Sequence, residues 1–363
     1  MPRPIRVLDL FAGAGGLTAG FREGSDRFTS VAAVEMDVAA AASYEATFGP
    51  GIVFAGAIEE WLDTRPMPKD IDVVVGGPPC QGFSTLGKQD EEDLRNGLWR
   101  YYAETIKRVR PKYFVVENVA AFERSKQFGQ FVDATRPGGF LEEYAFQHRL
   151  LNAADFGSPQ ARKRAVLIGH LRTLPFPGFP DPTHAPRSSS TRARHRWVSD
   201  AFRGIPGEPD RDHLLGTKWI MFSGRRLPGP FSTRDLHWSR NYTDLSKRRM
   251  AAIPPGGNRF DIDEADLAPC WRKHKTGSAD VMGRLHADRP SVTIRTEFFK
   301  PEKGRYLHPT LNRAITHYEA AVLQGFPASH LFVGSRTEIA RQIGNAVPIP
   351  LGAAIGRQLA GVL

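Results

Sequence analysis

The feature that most constrains this chain is a series of short, β-rich apolar runs that each end in chemically unusual residues. Ile5 to Phe11 runs straight into glycines, and Val31 to Val34 ends at Glu35. Asp72 to Val75 ends in Gly76-Gly77-Pro78-Pro79-Cys80, Tyr113 to Val116 ends in Glu117-Asn118, and Arg164 to Gly169 is a fifth run. Helix-like stretches separate them. Strands of this length alternating with helices predict an α/β fold: a doubly wound, Rossmann-like parallel sheet with helices on both faces. Such sheets hold ligands at the carboxyl ends of their strands. The glycines, Glu35, Cys80 and Glu117 all fall there.

With 363 residues the chain has room for one large α/β unit, or for a large domain and a smaller one. No signal peptide is visible before the first strand, and no stretch approaches the roughly 18 apolar residues of a membrane span. The only cysteines are Cys80 and Cys270. They suggest neither a disulfide framework nor a cysteine-based metal site, so a reducing cytoplasm is the expected setting. A formal charge of +10 favours a polyanionic partner, since clustered Lys and Arg gain by displacing counterions from phosphates. Charge alone does not decide this, because many basic proteins bind no nucleic acid.

Composition shifts after about residue 172. Thr173 to Pro186 carries five prolines and reads as a connection between domains. Between residues 171 and 288 there are 20 Lys+Arg and 13 Asp+Glu, a net of +7. Aromatic and His residues lie among these cations, as in Arg192-Ala193-Arg194-His195-Arg196-Trp197. A solvated, loop-rich insertion would look similar, but a nucleic-acid-facing region fits better. Thr316 to Gln324 looks helical and is ended by Gly325-Phe326-Pro327. Leu351 to Leu363 looks like a closing helix.

The loop Asp9-Leu10-Phe11-Ala12-Gly13-Ala14-Gly15-Gly16 follows a strand and opens a helix, so its backbone can approach a ligand closely. The dinucleotide fingerprint fails at Thr18, where its third glycine belongs, which disfavours a nicotinamide enzyme. Glu35 sits where a carboxylate accepts hydrogen bonds from ribose hydroxyls, although an ordinary surface acid would occupy the same position. A lone cysteine is usually a buried structural residue. No core position needs Pro-Pro before it and Gln-Gly after it, so Cys80 in Pro78-Pro79-Cys80-Gln81-Gly82 reads as a presented nucleophile.

These segments occur in one order with Glu117-Asn118-Val119, Gln160-Ala161-Arg162-Lys163-Arg164, Arg289-Pro290-Ser291-Val292-Thr293 and Gln342-Ile343-Gly344-Asn345-Ala346-Val347-Pro348. Together they resemble the DNA (cytosine-5)-methyltransferase family from residue 9 to 348. The resemblance implies a methyltransferase sheet with a second, smaller target-recognition domain. Residues 1–172 and 336–363 would form the catalytic domain. Residues 173–335 would read DNA, with a hinge helix near 316–325.

The resemblance also implies chemistry. Cytosine C5 does not attack a methyl donor unaided, and addition of the Cys80 thiolate at C6 would place electron density there. A free thiol has a pKa of about 8.5, which nearby cations or helix ends lower. Glu117 would protonate N3 of the base or hydrogen-bond it strongly. Arg162 would face the cytosine carbonyl, with Arg164 in support. S-adenosylmethionine would be held by Phe11, Ala12, Gly13, Gly15, Gly16, Leu17, Glu35, Met36, Ile58, Pro78, Asn345 and Val347. One position departs from the family pattern: Ala57 stands where an Asp usually takes the adenine amino group, which predicts weaker cofactor binding unless Glu59 substitutes.

The leading expectation is therefore a cytoplasmic enzyme that flips a cytosine out of a specific double-stranded DNA sequence and methylates its C5. It would act as a monomer, as the modification half of a restriction system with a cognate endonuclease. An RNA cytosine methyltransferase and a catalytically silent nucleic-acid-binding protein are the alternatives.

Overall fold

The computed structural model describes residues 3–79, 97–209, 216, 218–273 and 276–363. Its centre is a seven-stranded sheet of β1 (Ile5–Leu10), β2 (Phe28–Glu35), β3 (Val53–Ala55), β4 (Val73–Gly76), β5 (Tyr113–Val119), β6 (Tyr144–Asn152) and β7 (Lys163–Leu171). The order is β3-β2-β1-β4-β5-β7-β6. The chain steps outward from β1 on one side and from β4 on the other, so the topological switch point lies between these two strands. Ligands of open α/β sheets bind at such a point.

Alternation along the strands sorts the core into two layers. Val7, Val73, Val75, Val115, Val166 and Ile168 face α1 (Gly16–Gly24) and the C-terminal helix Ile349–Ala360. Leu8, Leu10, Val74, Phe114, Val116 and Leu167 face the other way, towards α3 (Ile58–Thr64), α4 (Leu98–Val109) and α5 (Lys126–Ala134). Between them, α2 (Val38–Phe48) follows β2 and is capped by the Asp37 carboxylate on Ala39 N and Ala40 N.

Two strands were not legible in the sequence. β3 has three half-buried residues, and the middle of β6 is exposed, so neither presents an apolar run. The direction of β7 also differs from the expected parallel arrangement: it runs antiparallel to both β5 and β6. The link from β6 to β7 is a short 3₁₀ turn and loop, whereas a parallel pair needs a long crossover. The reversal matters. It brings the first residues of β7 to the edge where the parallel strands end.

Beyond the sheet, paired short strands such as Trp219–Phe222 with Arg225–Pro228 support a loop-rich region. Its main core, around Val198, Phe231, Trp238, Ile294, Phe298 and Leu323, also takes in Ala14, Ile343 and Ile349. A smaller cluster comprises Met250, Ile253, Ile262, Met282 and Leu307. The helix foreseen after Thr316 runs His317–Gln324, with the Thr316 hydroxyl accepting from Glu319 N and Gly325 in the left-handed conformation behind it.

Candidate active site

The glycine loop joins β1 to α1 at the switch point. Phe11 takes a φ of 56°, which a non-glycine residue adopts at a cost of about 1–3 kcal/mol. Such strain persists where the surroundings hold it, and it collects at ligand sites. Glu35 at the end of β2 ties the neighbouring turns together: Gly13 N donates to its Oε2 and Asp37 N to its Oε1, each at 2.7 Å. Burial raises the Glu35 pKa against these two bonds. With backbone bonds from Gly13, Asp37 and Met36 on its four lone pairs, the carboxylate keeps one for a hydroxyl donor.

Thr18, the residue that broke the dinucleotide pattern, has a structural task. Its hydroxyl donates to Asp9 Oδ2 at 2.6 Å and lies 3.0 Å from the Tyr44 hydroxyl, which in turn lies 2.5 Å from Ser30 Oγ. Asp9 is 1 % exposed, and burial pushes its carboxyl up to about 7. A glycine at position 18 would leave that carboxyl without its donor.

Around the loop the other residues named for the cofactor take varied positions. Ala12, Leu17, Ile58 and Val347 are buried, Met36 is 69 % exposed, and Asn345 is exposed at the end of the helix Arg336–Asn345. Gly16 packs on the closing segment, where a Cβ would come within 3.1 Å of the Val347 carbonyl. At Gly13 a Cβ would meet nothing within 4 Å, so space lies open over the loop beside Glu35. Ala57 caps α3 with no side-chain hydrogen bond. An open hollow, a fixed carboxylate and an exposed thioether fit a nucleoside-bearing cofactor.

Cys80 lies outside the described residues, but the chain leading into it is held. Gly77 sits against Glu117: a Cβ there would stand 3.0 Å from the Glu117 carbonyl and 3.2 Å from its Oε2. Asn118 Nδ2 donates to the Pro78 carbonyl at 2.9 Å, and its Oδ1 accepts from Val119 N. The pair Glu117-Asn118 thus fixes the entry to the Pro-Pro-Cys turn. Glu117 itself is 8 % exposed, and Arg164 Nε lies 2.7 Å from its Oε1. That oxygen accepts no aligned hydrogen bond.

The two arginines have different surroundings. Arg162 is 3 % exposed, and its Nη1 donates to the Ile294 and Gly344 carbonyls at 3.0 and 2.9 Å. Burial, with Arg164 nearby, holds its pKa well below the usual guanidinium value. The two arginines do not share one strand. β7 starts at Lys163, and residues 159–161 instead bridge to Ser291. Sequence reasoning also missed how Gln160 locks this region. Its Oε1 accepts from Ile294 N, and its Nε2 donates to Gln324 Oε1, while Gln324 Nε2 donates to the Ile343 carbonyl. The Gln160 motif was the signal; its partners are too distant in sequence to be read.

The fold and these turns define an α/β methyltransferase. The structure superposes on a prophage-encoded DNA modification methyltransferase from E. coli with a TM-score of 0.71, at 23 % identity and with 99 % of each chain covered. The family model for C-5 cytosine-specific DNA methylases matches residues 5–361, and the chain belongs to that family. It is 33 % identical to the Type II methyltransferase M.XorII of Xanthomonas oryzae pv. oryzae over 99 % of this chain and 85 % of that protein. It is also 32 % identical to the Type II methyltransferase M1.HphI of Haemophilus parahaemolyticus, over 97 % of this chain and 85 % of that protein. The protein is a DNA (cytosine-5)-methyltransferase, and neither the RNA alternative nor the silent one is favoured.

Proposed function

We propose that this enzyme methylates a cytosine drawn out of double-stranded DNA into the edge formed by the Cys80 turn, Glu117 and Arg164. The observation that carries this reading is the Glu117–Arg164 contact beside Gly77 and the Asn118–Pro78 bond. One cation, one carboxylate and the approach to the thiol converge at the carboxyl edge of β4 and β5. Cys80 is the nucleophile: its thiolate adds to C6, the Glu117 carboxyl gives a proton to N3 so that the ring does not carry the added negative charge, and Arg164 holds the ring carbonyl. Arg162 is a positioning residue whose Nη1 pins the 294 and 344 backbones behind them. After methyl transfer the C5 proton leaves, and the sulfur is expelled to restore the aromatic ring.

S-adenosylmethionine is the donor in this reading and supplies an electrophilic methyl on a sulfonium. Glu35 receives one of its ribose hydroxyls, Phe11 to Leu17 line its approach, and Met36, Ile58, Pro78, Asn345 and Val347 complete the walls. Residues 173–335 carry the DNA-reading surface, turning on the helix His317–Gln324, while residues 1–172 and 336–363 carry catalysis. The Type II names of the relatives support a modification enzyme; in this reading it pairs with an endonuclease for the same site and acts as a monomer in the cytoplasm.

A duplex in which candidate cytosines are replaced by 5-fluorocytosine tests the mechanism. The fluorine cannot leave as a proton does, so a denaturation-resistant adduct should form with the wild type and not with Cys80→Ser. Near-normal methylation by Cys80→Ser would refute it.

A further inference from the structure

A cavity of about 510 Å³ opens in the basic region, lined by none of the residues given roles above. Tyr242, Trp271 and the buried Met250 and Met282 line it. Among the described residues, Arg240, Arg249 and Lys303 line it against one carboxylate, that of Glu302, and Lys303 also pairs with Glu297 at 3.5 Å. The Arg240 guanidinium lies 6.0 Å from the Tyr242 ring centre, and that of Arg249 lies 5.5 Å from the Trp271 ring centre. These groups are anchored from outside the cavity: the Tyr242 hydroxyl accepts from Ala314 N, and Arg249 Nε donates to the Asp266 carbonyl.

A continuous set of bonds runs from this cavity to the catalytic edge. The Lys303 carbonyl accepts from Arg295 Nη2, and Arg295 Nε donates to the Tyr306 hydroxyl, which donates to the Thr293 carbonyl. The next carbonyl, that of Ile294, accepts from Arg162. The cavity lining and the backbone that Arg162 pins are thus tied to one another through Arg295 and Tyr306.

We propose that the cavity is a second nucleotide subsite, taking one unstacked base of the DNA other than the target cytosine. The base stacks on Trp271 or Tyr242 beside the Met250 and Met282 thioethers, and its phosphate rests on Arg240 and Arg249. A phosphate alone would gain nothing from the aromatic and thioether lining, and an uncharged apolar ligand would leave the Arg240 and Arg249 guanidiniums unused. The inference rests on the reading that this region faces DNA.

The test uses the whole enzyme, a 12-nucleotide single strand and the same strand built of abasic units that keep every phosphate. Trp271→Leu should weaken binding of the normal strand about tenfold and leave the abasic strand unchanged, because stacking is lost while charge is kept. Trp271→Phe should retain most of the affinity, and Arg249→Ala should weaken both strands alike. Equal behaviour of the Leu and Phe variants, or equal loss on both strands, would overturn the subsite. To guard against a folding defect, wild-type enzyme should be photo-crosslinked to 5-iodouracil-containing strands. Crosslinks at Trp271 or Tyr242 support the proposal, and crosslinks confined to other residues refute it. If the DNA-facing reading itself fails, Arg192→Ala/Arg196→Ala will leave duplex affinity unchanged; if only the subsite fails, that double variant will still weaken the duplex.

Discussion

Arg164 Nε approaches Glu117 Oε1 to 2.7 Å, across the junction of a parallel strand and an antiparallel one. In the register of β5 and β7, Val119 faces Arg164 and Glu117 faces Val166. Residues opposite one another share a face, as do residues two apart, so Glu117 and Arg164 are diagonal neighbours within reach of long side chains.

Arg164 and Arg162 should fail differently when replaced. Arg164→Lys keeps a cation beside the buried Glu117 carboxylate, so it should leave the melting temperature near that of the wild type and lower kcat through loss of the planar fork. Arg162→Ala strands the buried carbonyls of Ile294 and Gly344, at about 1–3 kcal/mol for each unsatisfied group, and should lower the melting temperature as well. Thermal unfolding and methyl-transfer rates measured together check this. A stable, inactive Arg162 variant beside a fully active Arg164 variant would reverse the assignment.

Glu35→Ala should weaken S-adenosylmethionine binding by tenfold or more, since each hydrogen bond to a charged group is worth about 1.5–3 kcal/mol. Calorimetry gives the readout. The same variant frees Gly13 N and Asp37 N, so the glycine loop should also show faster amide exchange. Unchanged affinity for the methyl donor would remove Glu35 from the cofactor site.

Thr18→Val should destabilise the protein by about 1–3 kcal/mol by leaving a buried carboxyl without its donor. The loss should be larger at pH 8 than at pH 6. Asp9 titrates at about 7, so the variant must bury the ionised form without the hydroxyl at the higher pH. Denaturant unfolding at the two pH values settles the point; an equal loss at both would mean that Thr18 does not serve the Asp9 charge.

Acid should destabilise the fold from pH 6.5 downward. Burial lowers His308 to about 4 and both His317 and His330 to about 3, from an ordinary 6.5. The unfolded chain takes up these protons first, so the stability present above pH 6.5 is lost as pH falls towards those values. Asp9 acts in the opposite sense: its pKa is raised, so its contribution is present at low pH and is lost as pH rises from 3.8 to about 7. The lowered imidazoles outnumber the raised carboxyls, so stability should fall as pH drops from 6.5 towards 4, at about 1.4 kcal/mol per net proton per pH unit. His330→Phe should flatten the slope by about one proton. Stability independent of pH in this window would show that the three imidazoles are not held neutral.

The sequence by itself determined the alternation of strands and helices, the glycine loop, the turn before Cys80 and the identity of the family. Each of these is a local pattern, readable because backbone conformation and strand periodicity act over a few residues. β3 and β6 escaped, since edge strands without buried faces carry no apolar signature. Only the tertiary structure decided that β7 runs backwards, which brings Arg164 to Glu117 and leaves Arg162 to the carbonyls of Ile294 and Gly344. Those partners lie 132 and 182 residues away in the chain. Two arginines two positions apart look equivalent in sequence, and what separates them is the strand boundary at Lys163 and the burial beyond it. Direction and long-range pairing come from how the whole core packs, and no short window of sequence contains that information.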